Sequence, residues 1–213
     1  MNVLHICANP KPVDESVSKQ LAVSFFSTLA ANNEDIEVTN IDLYETPPPF
    51  FSMDTYRCFW YPETIEGYQA TDKEKAAASY TFEQCQLFKQ ADVLVLTMPL
   101  WGASTPAIMK AWLEHVFIPG QTYTIEGTEV KPQHALRKVV LLVSSGAALS
   151  ENDPNDALTP QMRSSFEFIG VDDVVCAWAD GQDPRFHHDY EIRKQLALEA
   201  AQELAEEVAE LTE

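Results

Sequence analysis

The sequence predicts a doubly wound α/β domain of three αβα layers, built on a five-stranded parallel sheet in the order 2-1-3-4-5. Three observations carry this reading. Short apolar β-type runs alternate with helical patterns along the whole chain, as β-α-β-α-β-α-β-α-β-α. The run at 91–98, ADVLVLTM, is apolar without alternation, as a strand buried on both faces requires. The 213 residues, 46% hydrophobic, suffice for one generous core but would cramp two domains. No internal repeat, low-complexity tract or linker divides the chain, so a single domain over 1–213 is expected.

The first strand spans 1–8 and ends at Asn9-Pro10-Lys11-Pro12, which can only be a loop. A helix follows over about 16–30, with Val17, Leu21, Phe25 and Leu29 on one face. A second strand, 36–43, alternates less cleanly. Residues 44–71 form an excursion with four prolines and eight aromatic residues. Prolines at that density speak against a long helix or a central strand. The segment reads as a wall or lid, or as an irregular stretch packed on the domain or a partner subunit. A helix near 75–90 leads into the strand at 91–98. Pro106 suits the first turn of the next helix, which carries Ile108, Met109, Trp112, Leu113 and Val116. A short hairpin around Glu126-Gly127 is expected at 121–130. The fourth strand is 137–144. Its helix, 158–169, aligns Leu158, Met162, Phe166 and Ile169. The fifth strand is 173–179. The last helix, about 188–211, aligns Ile192, Leu196, Leu204, Val208 and Leu211. Right-handed crossovers with helices on both faces then give the order 2-1-3-4-5.

Composition narrows the partners. Fourteen Lys and Arg stand against 33 Asp and Glu, a net charge of −19. Such a field repels phosphate backbones and anionic membranes, so neither nucleic acid nor membrane is an expected partner. Cys7, Cys58, Cys85 and Cys176 form no Cys-x-x-Cys pair, which argues against a disulfide framework or a zinc site. No apolar stretch approaches the ~20 residues of a membrane span. The run at 3–8 is too short for a signal peptide, and no cationic segment precedes it. A soluble, cytoplasmic protein in a reducing compartment is the expectation.

In an open α/β sheet ligands bind beyond the carboxyl ends of the strands, at the point where strand order reverses. Three loops should meet there. The first runs from Asn9 to a helix start at Ser16, Val17 and Ser18, where free amides and the positive end of the helix dipole attract phosphate. Ser16 also reads as a plain N-cap, which is the commoner role of such a residue. The second, Met98-Pro99-Leu100-Trp101-Gly102, offers an aromatic platform and closely approaching backbone, both suited to a flat ring; Trp101 reads equally as a core residue. The third, Ser144-Ser145-Gly146-Ala147, is built of small residues that let amides reach a ligand edge, or it is a mere turn. His5, inside the first strand, reads as a satisfied core histidine. His115, His134, His187 and His188 show no triad or metal spacing.

Together these loops resemble the FMN-dependent NADH:quinone oxidoreductases, or azoreductases, of the flavodoxin-like superfamily. The resemblance covers nearly the whole chain. Its most specific part is PLWGASTPAIMKAWLEHVFIPGQTY, 99–123, in which Pro106-Ala107, Lys110, Gly120, Thr122 and Tyr123 match the family pattern. Glu114 stands where Asp is usual, Gly102 where Asn often follows the aromatic, and Ser145-Gly146-Ala147-Ala148 replaces a Gly-Gly pair. The resemblance implies that Ser16, Val17 and Ser18 hold the FMN phosphate. It implies that Met98 to Gly102 run along the isoalloxazine and that Ser144 to Ala147 cover its pyrimidine side. It further implies a homodimer with the sites at the subunit interface. It also implies a ping-pong cycle in which NADH or NADPH gives hydride to the flavin and a quinone- or azo-type acceptor takes the electrons. No side chain is then required as general acid or base, and no metal is implied. Tyr123 is a candidate acceptor contact. Two other readings compete: an electron carrier of the flavodoxin type, and a flavodoxin-like module that has lost its cofactor. Reduction by NADH alone separates the first from an enzyme, and protein colour the second.

Overall fold

The computed structural model describes residues 1–149 and 153–211. Its main sheet has five parallel strands: β1 (Asn2–Cys7), β2 (Glu37–Asp42), β3 (Val93–Pro99), β6 (Lys138–Ser144) and β7 (Val174–Ala179). Their order is β2-β1-β3-β6-β7. This is the expected 2-1-3-4-5 once the hairpin strands β4 (Tyr123–Glu126) and β5 (Glu129–Pro132) are counted in chain order.

Side-chain alternation along the central strand divides the core in two. Val93 and Val95 join Val3, Val140 and Leu142 against α1 (Val17–Asn32) and α7 (Tyr190–Glu210). Leu94, Leu96 and Met98 point the other way, with Leu4, Ile6, Leu141 and Val143. That face meets α4 (Ser79–Gln90), α5 (Ala107–Val116) and α6 (Thr159–Phe168) through Phe88, Trp112 and Phe166. All seven residues of β3 are buried, as its unbroken apolar run requires. β2 is an edge strand and mostly exposed, which accounts for its weaker pattern.

Two expectations need correction. The last helix buries Val208 and packs Leu204 and Leu211 partly buried on the core, but it does not bury the other two residues aligned above. Ile192 is 66% and Leu196 60% exposed, and the buried side chains are Ala197, Ala201, Ala205 and Val208. The alanine stripe lets the helix lie close to the sheet and to α1, which larger side chains would hold away. The proline- and aromatic-rich excursion is also not without a long helix, because α2 (Met53–Thr64) occupies its middle. Pro47, Pro48 and Pro49 all precede its N-cap Ser52, and Pro62 falls in the last turn. There a missing N–H costs one hydrogen bond rather than the helix. Further on, α3 (Asp72–Ala77) opens with a full capping box between Thr71 and Glu74 and breaks at Ala78 before α4.

The excursion is tied down at two points. Cys58 and Phe59 of α2 pack against Ala78, Cys85 and Ile118. The buried His115 ring reaches the proline run: its Nε2 lies 2.8 Å from the Pro49 carbonyl, and its Nδ1 2.7 Å from the Thr81 hydroxyl. A carbonyl can only accept, so Nε2 carries the proton and Nδ1 accepts from Thr81.

Candidate functional site

Strand register sets the site. Cys7 lies beside Thr97, Thr97 beside Leu142, and Pro99 beside Ser144. The loops that leave β1, β3 and β6 therefore emerge in one row, about 5 Å between neighbours. The Ala8 amide donates to the Thr97 carbonyl at 2.8 Å and the Leu100 amide to the Ser144 carbonyl at 2.8 Å, so the row persists past the strand ends.

The first segment turns through a 3-10 turn at Val13–Glu15 into α1. Asn9, Ser16 and Ser18 come together here, all buried. Asn9 Oδ1 accepts from the Lys11 amide at 3.1 Å, which fixes the orientation of the Asn9 side chain. Its Nδ2 then donates to Ser16 Oγ at 2.8 Å and to Ser18 Oγ at 3.1 Å. Ser16 Oγ also caps the helix, accepting from the Lys19 amide at 3.2 Å. Both hydroxyl oxygens thus accept from within, and apart from a long contact of 3.4 Å between the two hydroxyls nothing among the described residues holds their protons, which can turn to a ligand. The Lys19 and Gln20 amides are satisfied by Ser16, which leaves those of Val17 and Ser18 with no acceptor among the described residues. Ser16 is a plain N-cap and, at the same time, one of a set of outward donors at a helix N-terminus. The set relies on hydroxyls and amides, since Lys19 is committed to Asp42 at 3.1 Å.

The second segment behaves differently along its length. Met98 is fully buried in the core and Pro99 is the buried last residue of β3. Leu100 is half-buried. Trp101 is 45% exposed, so it is not a core residue. Trp101 and Ser104 exchange two backbone hydrogen bonds of 3.1 Å around Gly102 and Ala103, both left-handed at φ 59° and 61°. The turn projects into solvent, and a Cβ added at Gly102 would meet nothing within 4 Å.

In the third segment, Ser144 ends β6, Ser145 is buried, and Gly146 and Ala147 are exposed. Its three consecutive carbonyls are all taken from behind. The Gln182 amide donates to Ser145 O at 2.9 Å, Asp183 to Gly146 O at 3.3 Å, and Gly181 to Ala147 O at 2.9 Å. The Gly146 and Ala147 amides keep no acceptor among the described residues. The sequence reading missed this backing segment after β7. Gly181, at φ 60° just beyond a predicted strand, was the available signal.

The remaining chemistry is muted. Burial pushes the thiols of Cys58 and Cys7 up, and those of Cys85 and Cys176 up to about 12, so no activated thiolate is present. Burial lowers His5 to about 4 despite its hydrogen bond to Asn40. Burial lowers His115 and His134 as well. Tyr123 is buried edge-to-face with Phe168 at 5.2 Å, and burial raises its phenol. No group of three or more metal-ligating side chains gathers among the described residues. A cavity of about 330 Å³ is walled by Phe51, Tyr56 and Trp60 of the excursion and by Gln161 of α6. Gln161 Oε1 in turn accepts from Ser104 and Thr105 at 3.4 Å. A larger groove of about 500 Å³ runs between α1 and β2, away from the turn at Trp101.

Residues 1–206 match the family described as having the flavodoxin-like fold. Over 209 residues the chain is 32% identical to an FMN-dependent NADH:quinone oxidoreductase of Exiguobacterium sp., covering 97% of this chain and 96% of the relative. This chain belongs to that family. A second member, from Azotobacter vinelandii, is 31% identical over 78% of this chain and 81% of its own. Among solved structures, the azoreductase AzrA superposes with a TM-score of 0.87 at 22% identity, over 97% of this chain and 100% of the other. An FMN-dependent NADH-azoreductase from Bacillus anthracis, solved in complex with FMN, gives 0.83 at 22% identity, over 98% and 100%. Both share the fold. The family's flavin suits the residues present here. Outward hydroxyl protons and open amides at a helix N-terminus suit a phosphate, and the protruding Trp101–Gly102 turn suits a flat ring. The open amides of Gly146 and Ala147 suit that ring's polar edge. No helix among the described residues is long and apolar enough to cross a membrane.

Proposed function

We propose that this chain is an FMN-dependent oxidoreductase that moves electrons from NADH to a quinone or azo acceptor, one substrate at a time at a single pocket. The observation that carries this reading is the row of three segments at the switch point, with the Asn9–Ser16–Ser18 cluster at one end and the Gly146–Ala147 amides at the other. The redox chemistry, hydride acceptance from the nicotinamide and return of the electron pair, is supplied by FMN when bound. The protein's part is to bind, orient and tune. Ser16, Val17 and Ser18 hold the phosphate through hydroxyl and amide donors. Leu100 to Gly102 flank the ring, with Met98 and Pro99 fixing their position from inside the sheet. Gly146 and Ala147 present amide donors to the edge where negative charge gathers on reduction, Ser145 supports them from behind, and Ser144 anchors them at the strand end. No side chain at the rim acts as acid or base.

The chain pairs with a second copy through the aromatic face of Phe51, Tyr56, Trp60, Phe117 and Phe168. Phe168 is 50% and Tyr56 40% exposed on a protein whose charge otherwise favours water. Nucleic acid and anionic membranes are opposed by the net charge of −19. The four free cysteines suit the reducing cytoplasm.

The test is the visible spectrum of the purified protein with FMN before and after anaerobic NADH. A bound flavin that NADH bleaches supports the reading and distinguishes it from an electron carrier. A bound flavin that neither NADH nor NADPH bleaches overturns it, as does failure to take up FMN.

A further inference from the structure

Behind the third segment lies a hydrogen-bond chain that starts outside the loops. Trp178 on β7 sits in register with Val143 of β6, one residue before Ala179 pairs with Ser144. Its Nε1 lies 2.9 Å from Ser145 Oγ, and Ser145 Oγ lies 2.8 Å from the Ala147 carbonyl. The direction of each bond is forced. An indole N–H only donates and a carbonyl only accepts, so the Ser145 hydroxyl must accept from Trp178 and give its single proton to Ala147. Ser145 is 4% exposed, so no bulk water competes for either bond. The Ala147 carbonyl also accepts from the Gly181 amide at 2.9 Å. Two donors therefore hold it from behind.

From this we infer that Trp178 is a positioning residue for the flavin-facing loop: through the Ser145 hydroxyl it pins the Ala147 carbonyl to the rear, which turns the Ala148 amide of the same peptide plane to the rim and extends the row begun by the Gly146 and Ala147 amides, whose own planes the Gln182 and Asp183 amides hold through the Ser145 and Gly146 carbonyls. The inference rests on the proposed FMN site and deepens it. Small residues make such a loop easy to turn over, because no side chain of Gly146 or Ala147 locks a peptide plane and only the hydrogen bonds behind it do. The family pattern has a Gly-Gly pair at this place; here the restraint comes from a side chain one strand away. Without the indole N–H, the buried Ser145 hydroxyl loses its fixed rotor and its grip on Ala147.

Trp178→Phe removes the donor and keeps most of the ring. Ser145→Ala removes the relay with almost no change in volume, and serves should the larger substitution unfold the chain. Both are compared with wild type by FMN titration, by the midpoint potential of the bound flavin, and by amide hydrogen exchange over 144–149 without FMN. Donors aimed at the polar edge favour the reduced, more negative flavin over the oxidised one. We expect each variant to lose about tenfold more affinity for the reduced form, which lowers the potential by about 30 mV for a two-electron couple. Exchange over 144–149 should quicken, and the double variant should match either single one, because the bonds form one relay. A loss of general stability alone would not move the potential. Unchanged potential and unchanged exchange in both single variants would overturn the inference. A wild-type protein that takes up no FMN would instead overturn the proposed function, leaving the exchange data to decide the relay.

Discussion

Asn9→Asp separates folding from cofactor binding, because it keeps every hydrogen bond of the Asn9 cluster while reversing two of them. In the wild type, Nδ2 donates to Ser16 Oγ at 2.8 Å and Ser18 Oγ at 3.1 Å, so both hydroxyl protons, held only by a long contact of 3.4 Å between the two serines, can turn outward. A carboxylate at this position still accepts from the Lys11 amide, as Oδ1 does now at 3.1 Å. It would also accept from both hydroxyls and so turn their protons inward. The fold keeps its hydrogen bonds, now charge-assisted, and these offset much of the cost of burying the charge, so apo-protein stability should fall by no more than about 1–3 kcal/mol. The phosphate loses two charge-assisted donors, each worth about 1.5–3 kcal/mol. It also gains a neighbouring negative charge. A phosphate held by Ser16 or Ser18 lies about two hydrogen-bond lengths from residue 9, or ~5.5 Å. Repulsion at that distance is about 3 kcal/mol per unit charge at an effective dielectric constant near 20. These effects overlap, so the expected loss is at least about 100-fold in FMN affinity, the equivalent of 2.7 kcal/mol. Asn9→Ala is the contrast. It breaks all three side-chain bonds, costs about 1–3 kcal/mol of stability, and leaves the hydroxyls free to reorient toward the phosphate. Quenching of FMN fluorescence on titration and urea unfolding of the apo-protein measure the two quantities. FMN binding by Asn9→Asp at wild-type strength would show that the cluster does not hold the phosphate.

Gly102→Ala should cost only about 1 kcal/mol of stability, since an added Cβ has nothing within 4 Å and only the φ of 59° is strained; Gly102→Leu should further weaken FMN binding, and unchanged affinity would place the ring elsewhere. Folding should weaken as pH falls from about 6.5 to about 4, because burial holds the folded His5 at about 4 and the unfolded chain takes up the proton first. The stability is whole above 6.5, and its loss reaches about 3 kcal/mol at the lower limit; urea midpoints across this window should fall less steeply in His5→Gln. Gly170→Ala should lower the melting temperature sharply, because its φ is 89° and a Cβ would stand 2.5 Å from Pro132 Cγ; the backbone strain alone is about 1–3 kcal/mol. Thr71→Ala breaks the capping box of α3 and should cost about 1 kcal/mol in urea unfolding.

Much of this protein was legible before any coordinates. Each parallel strand lies within two residues of its apolar run, because a strand buried on both faces must be apolar along its length, as at 91–98. Strand order followed from the alternation of elements, and the place of the site followed from strand order. Chain pattern also put a small-residue loop and a serine pair at that rim. It did not reveal the inside of α7, where an alanine stripe beat the larger residues of the opposite face, since helix periodicity says nothing about how close a neighbour comes. Nor did it reveal α2, because proline density does not say whether a proline falls before a helix, in its last turn or in its middle. The direction of the Asn9 amide, the outward Ser16 and Ser18 protons, and the grip of Trp178 and the Gly181 segment on the third loop depend on residues far apart in sequence. Only packing brings them within a hydrogen bond, whose worth depends on a few tenths of an ångström that no single-residue pattern encodes.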